Sequence, residues 1–343
     1  MNNTKKLTEH FVVDLLFHDL LEDPPLNTED NRSLIDILLE SGVSAVSTTI
    51  VADTYSRRSF YDFLEQVYTY QLLEDTLPDR VKLIQNFSDI EMVQSEGKLG
   101  VILSTQGSDI FGGDIRLISI ARQLGLLIVQ FTYNQDTLVG SGTFEPKDFG
   151  ITRLGQQMVY EMNRTGMLID LSHVGTQTSL DVLRMSEAPV IFSHSNAMAL
   201  CKNTRNLIDE QIVALGKNGG VIGLCPHSVF TTDKPGYVPD VNDFIDHIMY
   251  IADKIGIDHV GVGTDRFVEP TLIHKMGRTE FARTLPDFFG AFGISNKQVK
   301  GFSKYSEWEN LVEAMERRRF STEDIGKVLG NNALRVFGKV WKK

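Results

Sequence analysis

Short apolar runs alternate along this chain with longer amphipathic stretches. Each run is rich in Val, Ile and Leu and ends in polar residues. Eight such runs occur, at residues 11–17, 45–51, 99–104, 126–132, 167–171, 190–193, 220–225 and 259–263. Because their apolar residues are almost uninterrupted, the runs predict parallel β-strands buried on both faces rather than antiparallel strands with one exposed face.

The stretches between the runs carry apolar residues at helical spacing. The predicted helices cover residues 32–40, 60–73, 115–124, 155–165, 178–185, 209–215 and 241–255. Several are followed closely by a glycine, which readily ends a helix: Gly42, Gly125, Gly166 and Gly256. Alternating β and α units predict an α/β protein, a (β/α)8 TIM barrel, although the same periodicity is compatible with an open doubly wound sheet.

Further helices are predicted at the carboxy-terminal end. Residues 321–330 open with Ser321, a good N-cap residue, and an acidic first turn, and residues 332–340 continue the helical pattern. We expect the segment 320–343 to close the barrel. Since no low-complexity linker or internal repeat interrupts the chain, we expect a single domain over residues 1–343.

The composition and net charge of the chain indicate which classes of partner to expect. The 343 residues include 34 Lys and Arg against 45 Asp and Glu, a formal net charge of −11, without any long basic run. Nucleic acids and anionic membranes both require clustered positive charge, so we expect neither as a partner. No apolar run approaches the roughly 18 residues that span a bilayer, and the first residues lack a secretory apolar core. We therefore expect a cytoplasmic protein with a small-molecule substrate.

The carboxyl ends of the strands face the active site in a barrel of this kind. The polar residues that end the runs are therefore candidates for chemistry: Asp14, His18, Asp19, Gln106, Tyr133, Asn134, His173, His194, His227 and Asp265. This concentration of imidazoles and carboxylates predicts a metal-binding or proton-transferring site on one rim of the barrel.

The pair His173 and His194 is the strongest element of this set. Each follows a serine at the end of one of two neighbouring predicted strands. Adjacent strands lie about 4.8 Å apart, so two imidazoles at equivalent positions can bind one divalent cation. Asp265 ends a glycine-rich strand and suits either a general base or a further metal ligand. The structural alternatives are a histidine bonded to a backbone carbonyl and an Asp265 paired with Arg266.

Other histidines and the cysteines carry weaker signals. His227 follows a strand, but the sequence alone does not support a role for it. We expect surface or packing roles for the histidines outside the rim: His10, His247, His259 and His274. Cys201 and Cys225 form neither a disulfide framework nor a CxxC metal knuckle, and we interpret both as core or near-surface thiols.

Four stretches resemble the renal or membrane dipeptidase family, peptidase family M19. They read MNRTGMLIDLSH at 162–173, APVIFSHSN at 188–196, TRNLIDE at 204–210 and GIDHVGVGTD at 256–265, with a weaker match at 322–337. Members of that family are zinc-dependent TIM barrels of the amidohydrolase-like type that split dipeptides, and dimers are common among them. The resemblance therefore implies a metallo-dipeptidase-like hydrolase that forms a homodimer.

The resemblance also implies roles for individual residues. His173 and His194 become ligands of one metal, and Arg205 becomes the residue that holds the substrate's carboxylate. Asp265 becomes the acid and base that takes a proton from the attacking water and returns it to the leaving amine. Tyr133 and Asn134 fall where the substrate would be contacted.

The amino-terminal half departs from the family pattern. The family carries His-x-Asp after its first strand, whereas an alignment from Asp14 places Leu16 and His18 at these positions. Gln106 stands where the family has the glutamate that bridges two metals, and Tyr133 stands where it has a histidine. A neutral amide cannot bridge two cations as a carboxylate does, so we expect one Zn²⁺, bound by the two histidines with help from Gln106, His18 or Asp265.

These residues leave three functions open. The first is hydrolysis of a dipeptide or similar small amide, for which one Zn²⁺ suffices because a single ion can activate water and polarise a carbonyl. The second is an amidohydrolase-type enzyme acting on a modified amino acid or lactam-like compound, with Tyr133 and Gln106 supplying hydrogen bonds. The third is a non-catalytic relative that binds a small carboxylate.

Overall fold

A parallel β-sheet forms the centre of the fold. The computed structural model describes residues 7–17, 20, 33–52, 59–265 and 299–341. Within them lie nine strands: β1 (Val13–Phe17), β2 (Ala45–Ala52), β3 (Val81–Leu83), β4 (Leu99–Gln106), β5 (Leu126–Gln130), β6 (Leu168–Asp170), β7 (Ile191–Phe192), β8 (Val221–Leu224) and β9 (Val260–Val262). The rim candidates His18 and Asp19, and also Arg266, lie outside the described residues.

The strands pair in the order β1-β2-β4-β5-β6-β7-β8-β9, all in parallel. Strand β4 pairs with β2 along one edge. Its other edge pairs with the short β3 at Leu99 to Val101 and with β5 from Leu103 onward. Strand β3 therefore pairs only with the first residues of β4 and is not one of the eight strands in the main order.

Asp14 connects the first and last strands of the ring. Its buried carboxylate accepts hydrogen bonds from the backbone N–H of Thr264 (2.8 Å) and from the Thr264 hydroxyl (2.5 Å), and Asp265 N donates to Leu16 O (2.9 Å). These bonds bring β1 and β9 together into a nearly closed eight-strand barrel, so the TIM barrel prediction is confirmed and the open sheet is wrong. The buried Asp14 carboxylate therefore connects β1 to the end of β9, and we assign it this structural role rather than a catalytic one.

Helices surround the barrel. Those in the described residues are α1 (Leu34–Glu40), α2 (Phe60–Thr76), α3 (Asp89–Glu96), α4 (Arg116–Gln123), α5 (Arg153–Thr165), α6 (Thr176–Met185), α7 (Asp209–Asn218), α8 (Ser228–Thr231), α9 (Val241–Ile255), α10 (Trp308–Arg317), α11 (Thr322–Gly326) and α12 (Asn332–Val340). Every predicted helix forms within a few residues of its predicted bounds. None of the helices in this described part is both long and apolar enough to cross a lipid bilayer.

Local sequence sets the helix ends. Helix α2 begins at Ser59, which exchanges capping hydrogen bonds with Asp62, and α9 begins at Asp240 in the same way. Helix α5 ends at Gly166, whose φ of 72° is the left-handed conformation that glycine adopts without steric cost. These capping residues set where the helices begin and end.

Two large clusters of apolar side chains make up most of the core, one on each face of the strands. Between strands and helices lies the larger part, which includes Val46, Val101 and Val129. Inside the barrel, Leu15 and Ile102 pack with the last helix, α12, which contributes Phe337 and other residues. The close approach of Gly330 to the carbonyl of Phe11, just before β1, places these terminal helices at the amino-terminal opening. The polar rim residues lie at the other opening, at the carboxyl ends of the strands.

Candidate active site

Two imidazoles meet at the carboxyl ends of β6 and β7. His173 follows β6 by three residues and His194 follows β7 by two, and both side chains are buried. Their Nε2 atoms lie 2.8 Å apart. The structure thus brings together the two residues that the sequence pattern singled out.

Each imidazole is oriented by a partner at its other nitrogen. His173 Nδ1 lies 2.7 Å from Asn134 Oδ1, and His194 Nδ1 lies 2.7 Å from Ser193 Oγ. An amide oxygen only accepts hydrogen bonds, so His173 Nδ1 carries a proton. Ser193 Oγ donates its single proton to Asp170 Oδ2 (2.5 Å), so it accepts from His194, whose Nδ1 is therefore also protonated.

When both imidazoles are neutral, their protonated Nδ1 atoms leave a lone pair on each Nε2. Two acceptor atoms 2.8 Å apart repel one another, and a cation bound by both lone pairs removes that repulsion. Neutral imidazoles that donate their second N–H to a fixed acceptor are the usual form of metal-binding histidines. The side chains present therefore fit a divalent metal.

Asp170 and Ser193 support the site, although the sequence pattern assigns them no role. Asp170 is buried, and its Oδ1 accepts from Ser172 N and Ser193 N, each at 2.9 Å. Burial raises the pKa of Asp170 above its usual value, and the hydrogen bond from the Ser193 hydroxyl opposes that change. The close packing of Gly223 and Gly263 against the Ser193 carbonyl, where a methyl group would collide, holds this segment in place.

Ser193→Ala should weaken metal binding at the histidine pair by about 10- to 100-fold, the usual cost of removing a hydrogen-bond partner of a metal-binding histidine. The reason is that His194 loses the acceptor that fixes its tautomer and ring orientation. Zn²⁺ affinity, measured by competition with a chelator, checks this. Ser195→Ala is the matched control, because the buried Ser195 Oγ has no hydrogen-bond partner in the described part of the chain. Equal affinities in the two variants would contradict the orienting role.

Tyr133 covers the face of His173. The two rings stack with centroids 4.3 Å apart and an interplanar angle of 22°. Burial raises the pKa of the Tyr133 phenol well above its usual value, and the negative charge of Asp265 raises it further. The phenol is therefore neutral at physiological pH and can donate a hydrogen bond at the rim.

Arg205 lies beneath the same rim. Its Nη2 donates to the carbonyl of His194 (3.3 Å), and its guanidinium lies 5.5 Å from the ring centroid of Phe230. Among the described residues, Arg205 Nε has no hydrogen-bond partner, although that atom is buried. Burial lowers the pKa of Arg205, yet a guanidinium stays charged at neutral pH. A buried positive charge with a spare donor suits a carboxylate ligand.

Asp265 lies three residues beyond β9, with a φ of 47°. Its Oδ2 is 3.8 Å from His227 Nδ1, and its backbone carbonyl accepts a hydrogen bond from His227 Nε2 (2.9 Å). The side chain of Asp265 is 17% exposed, so it remains open to the rim. His227, which the sequence pattern leaves without a role, is one of the described residues that contact Asp265.

The first strands contribute no anionic ligand that the structure describes. Leu16 is buried, and its carbonyl bonds to Asp265 N. Gln106 ends β4 and is buried, but its amide is neutral. His18, the other ligand considered for this side of the rim, is outside the described residues.

Residues 11–275 match the sequence model of the membrane dipeptidase family, peptidase family M19. The chain belongs to this family. The matched segment contains both histidines of the pair, Arg205 and Asp265, so the membrane dipeptidase match covers the rim as well as the barrel.

Individual relatives agree with the membrane dipeptidase assignment. Dipeptidase tcpJ of Claviceps purpurea is 30% identical over 84% of this chain and 62% of the relative. Dipeptidase aclJ of Aspergillus oryzae is 27% identical over 81% of this chain and 61% of the relative. The chain thus spans about three fifths of the length of these two relatives. A solved amidohydrolase from Pseudomonas aeruginosa is 27% identical, with a TM-score of 0.84 and 100% of both chains covered.

Proposed function

We propose that this member of the membrane dipeptidase family is a metal-dependent hydrolase that cleaves the amide bond of a dipeptide or a similar small amide. The observation that carries the proposal is the pair of Nε2 lone pairs, on His173 and His194, that converge at 2.8 Å. The buried Arg205 beside them supplies a site for the carboxylate that a dipeptide carries.

His173 and His194 would hold one divalent ion, and Zn²⁺ suits two imidazole ligands. A bound ion of this kind supplies Lewis acidity toward water and toward the scissile carbonyl. We add Zn²⁺ as the metal, a cytoplasmic location and a homodimer to the proposal. The homodimer rests on the family likeness, and the location repeats the expectation from the sequence.

The chain's own side chains have distinct tasks in this proposal. Arg205 binds the substrate's carboxylate, with Nε as the spare donor. Tyr133 donates a hydrogen bond to the oxygen of the scissile carbonyl, and Asn134 fixes the ring of His173. Asp265 takes a proton from the attacking water and returns it to the leaving amine.

A panel of dipeptides, differing in the second residue and in its L or D configuration, tests the proposal on protein of measured metal content. We expect turnover of at least one dipeptide and loss of turnover after chelation. Hydrolysis only of a modified amino acid or lactam-like compound would favour the second function. The neutral donors Tyr133 and Gln106 make that outcome chemically reasonable. Absence of all hydrolysis with metal bound would favour a non-catalytic ligand-binding protein.

Arg205→Lys should raise KM for a carboxylate-bearing substrate by about 10- to 100-fold, with a smaller change in kcat. The reason is that lysine lacks the planar fork that bonds both carboxylate oxygens, and a hydrogen bond to a charged group contributes about 1.5–3 kcal/mol. Steady-state kinetics measure the effect. Arg184→Lys, a change at an exposed position of α6, is the control. An unchanged KM would make Arg205 a structural residue.

A further inference from the structure

A second group of metal-binding side chains lies at the ends of β8 and β9. Cys225 directly follows β8, His227 comes two residues later, and Asp265 follows β9. One ligand atom from each, a sulfur, an imidazole nitrogen and a carboxylate oxygen, lies within 4.8 Å of the other two. Three different ligand types from two adjacent strand ends thus converge on one volume.

The orientation of His227 suits a metal ligand. Its Nε2 lies 2.9 Å from the carbonyl oxygen of Asp265, which can only accept, so Nε2 carries the proton. In the neutral imidazole the lone pair is then on Nδ1, which lies 3.8 Å from Asp265 Oδ2. Two ligands about 2.0–2.1 Å from a tetrahedral ion lie roughly 3.3–3.4 Å apart, so a small side-chain movement completes the geometry. A histidine that donates its other N–H to a carbonyl is the common arrangement around zinc.

Cys225 supplies the soft ligand of the group. Its thiol is buried and lies 3.7 Å from the carbonyl of Thr264. Cysteine binds metals as the thiolate and releases its proton when the ion binds. Thiolate, imidazole and carboxylate together are ligands of zinc-class cations rather than of Mg²⁺ or Ca²⁺.

We propose that Cys225, His227 and Asp265 bind a second divalent cation of the zinc class, separate from the one held by His173 and His194. Three side chains among the described residues supply ligands to this ion, and the partly exposed Asp265 connects it to the rim. The site goes beyond the proposed hydrolase activity but shares Asp265 with it, because a carboxylate oxygen that binds this ion does not take a proton from water at the same time. It also raises the expected metal content from one ion to two.

Co²⁺ absorption tests the site, because a thiolate ligand gives cobalt a near-ultraviolet charge-transfer band that imidazole and carboxylate do not give. Reduced, chelator-stripped protein is titrated with Co²⁺ alone. We expect the band in the unchanged protein and its loss in Cys225→Ser. Cys201→Ser is the matched control, because the other buried thiol faces the carbonyl of Val229 (3.4 Å) and should leave the band intact. His227→Ala gives a second variant, expected to lose the band as well.

The double variant His173→Ala, His194→Ala separates this proposal from the proposed function. It should lose one equivalent of Co²⁺ and all hydrolysis, and keep the thiolate band. Saturation of the unchanged protein without that band, or a band that survives Cys225→Ser, would overturn the second site while leaving the hydrolase proposal untouched. If no dipeptide is hydrolysed and the thiolate band is present, the hydrolase proposal is wrong and the second metal site stands.

Discussion

Asp265→Asn should lower kcat for a hydrolysed dipeptide by about two to four orders of magnitude, the usual contribution of general acid and base catalysis. The amide keeps the size and most hydrogen-bonding shape of the carboxylate but removes the basic oxygen. Steady-state kinetics with metal-replete protein measure the change. The side chain is 17% exposed at the rim, so the effect should fall on turnover rather than on folding.

Asp258→Asn is the matched control for this experiment. Asp258 lies just before β9, at the opposite end from Asp265, in an ion pair with Lys327 (2.9 Å). Its neutralisation should leave kcat unchanged. Loss of kcat in Asp265→Asn with the Co²⁺ thiolate band retained would assign Asp265 to proton transfer alone, and loss of both would add a role as ligand. Wild-type turnover in Asp265→Asn would contradict the catalytic role.

His173→Ala and His194→Ala should each abolish detectable hydrolysis and remove most of the metal bound at the histidine pair. Either change leaves one imidazole, which cannot hold the ion alone with useful affinity. The fold should persist, because both residues lie on the rim rather than in the packed interior of the barrel. The dipeptide assay measures hydrolysis, elemental analysis measures the bound metal, and circular dichroism checks that the fold persists.

His259→Ala provides the comparison for these variants. His259 lies at the amino-terminal end of β9 and bonds to the carbonyl of Gly220 (2.8 Å), so it faces away from the rim. Its removal should leave metal content and turnover intact. Full metal content in both His173→Ala and His194→Ala would show that the metal binds elsewhere than at the histidine pair.

The barrel can be predicted because its strands are buried on both faces. Uninterrupted apolar runs such as 99–104 are typical of such strands, and the observed β4 differs only by extending to Gln106. The sequence does not predict strand β3, because Val81–Leu83 is too short to show a period. Helices α3, α8 and α10 are also absent from the prediction; of these, α8 is only 4 residues long.

The site is predictable where it depends on strand ends and not where it depends on contacts between side chains. His173 and His194 follow buried strands, so topology alone places them on one rim. The bond from Ser193 to Asp170 joins residues 23 positions apart, and no local pattern indicates it. The sequence indicates only a core or near-surface thiol at Cys225, because its proximity to Asp265 arises when β8 and β9 pair.

Three rim residues have left-handed backbone conformations, with φ of 60° at Asn134, 65° at His173 and 47° at Asp265. Such a conformation costs most residues other than glycine about 1–2 kcal/mol, and Asn and Asp adopt it more readily than the rest. Glycine at any of these positions would relieve that cost while deleting a group assigned to chemistry. Directed evolution for heat resistance alone would therefore be drawn toward an inert barrel, and a thermostable form of this protein should be selected with turnover as a second criterion.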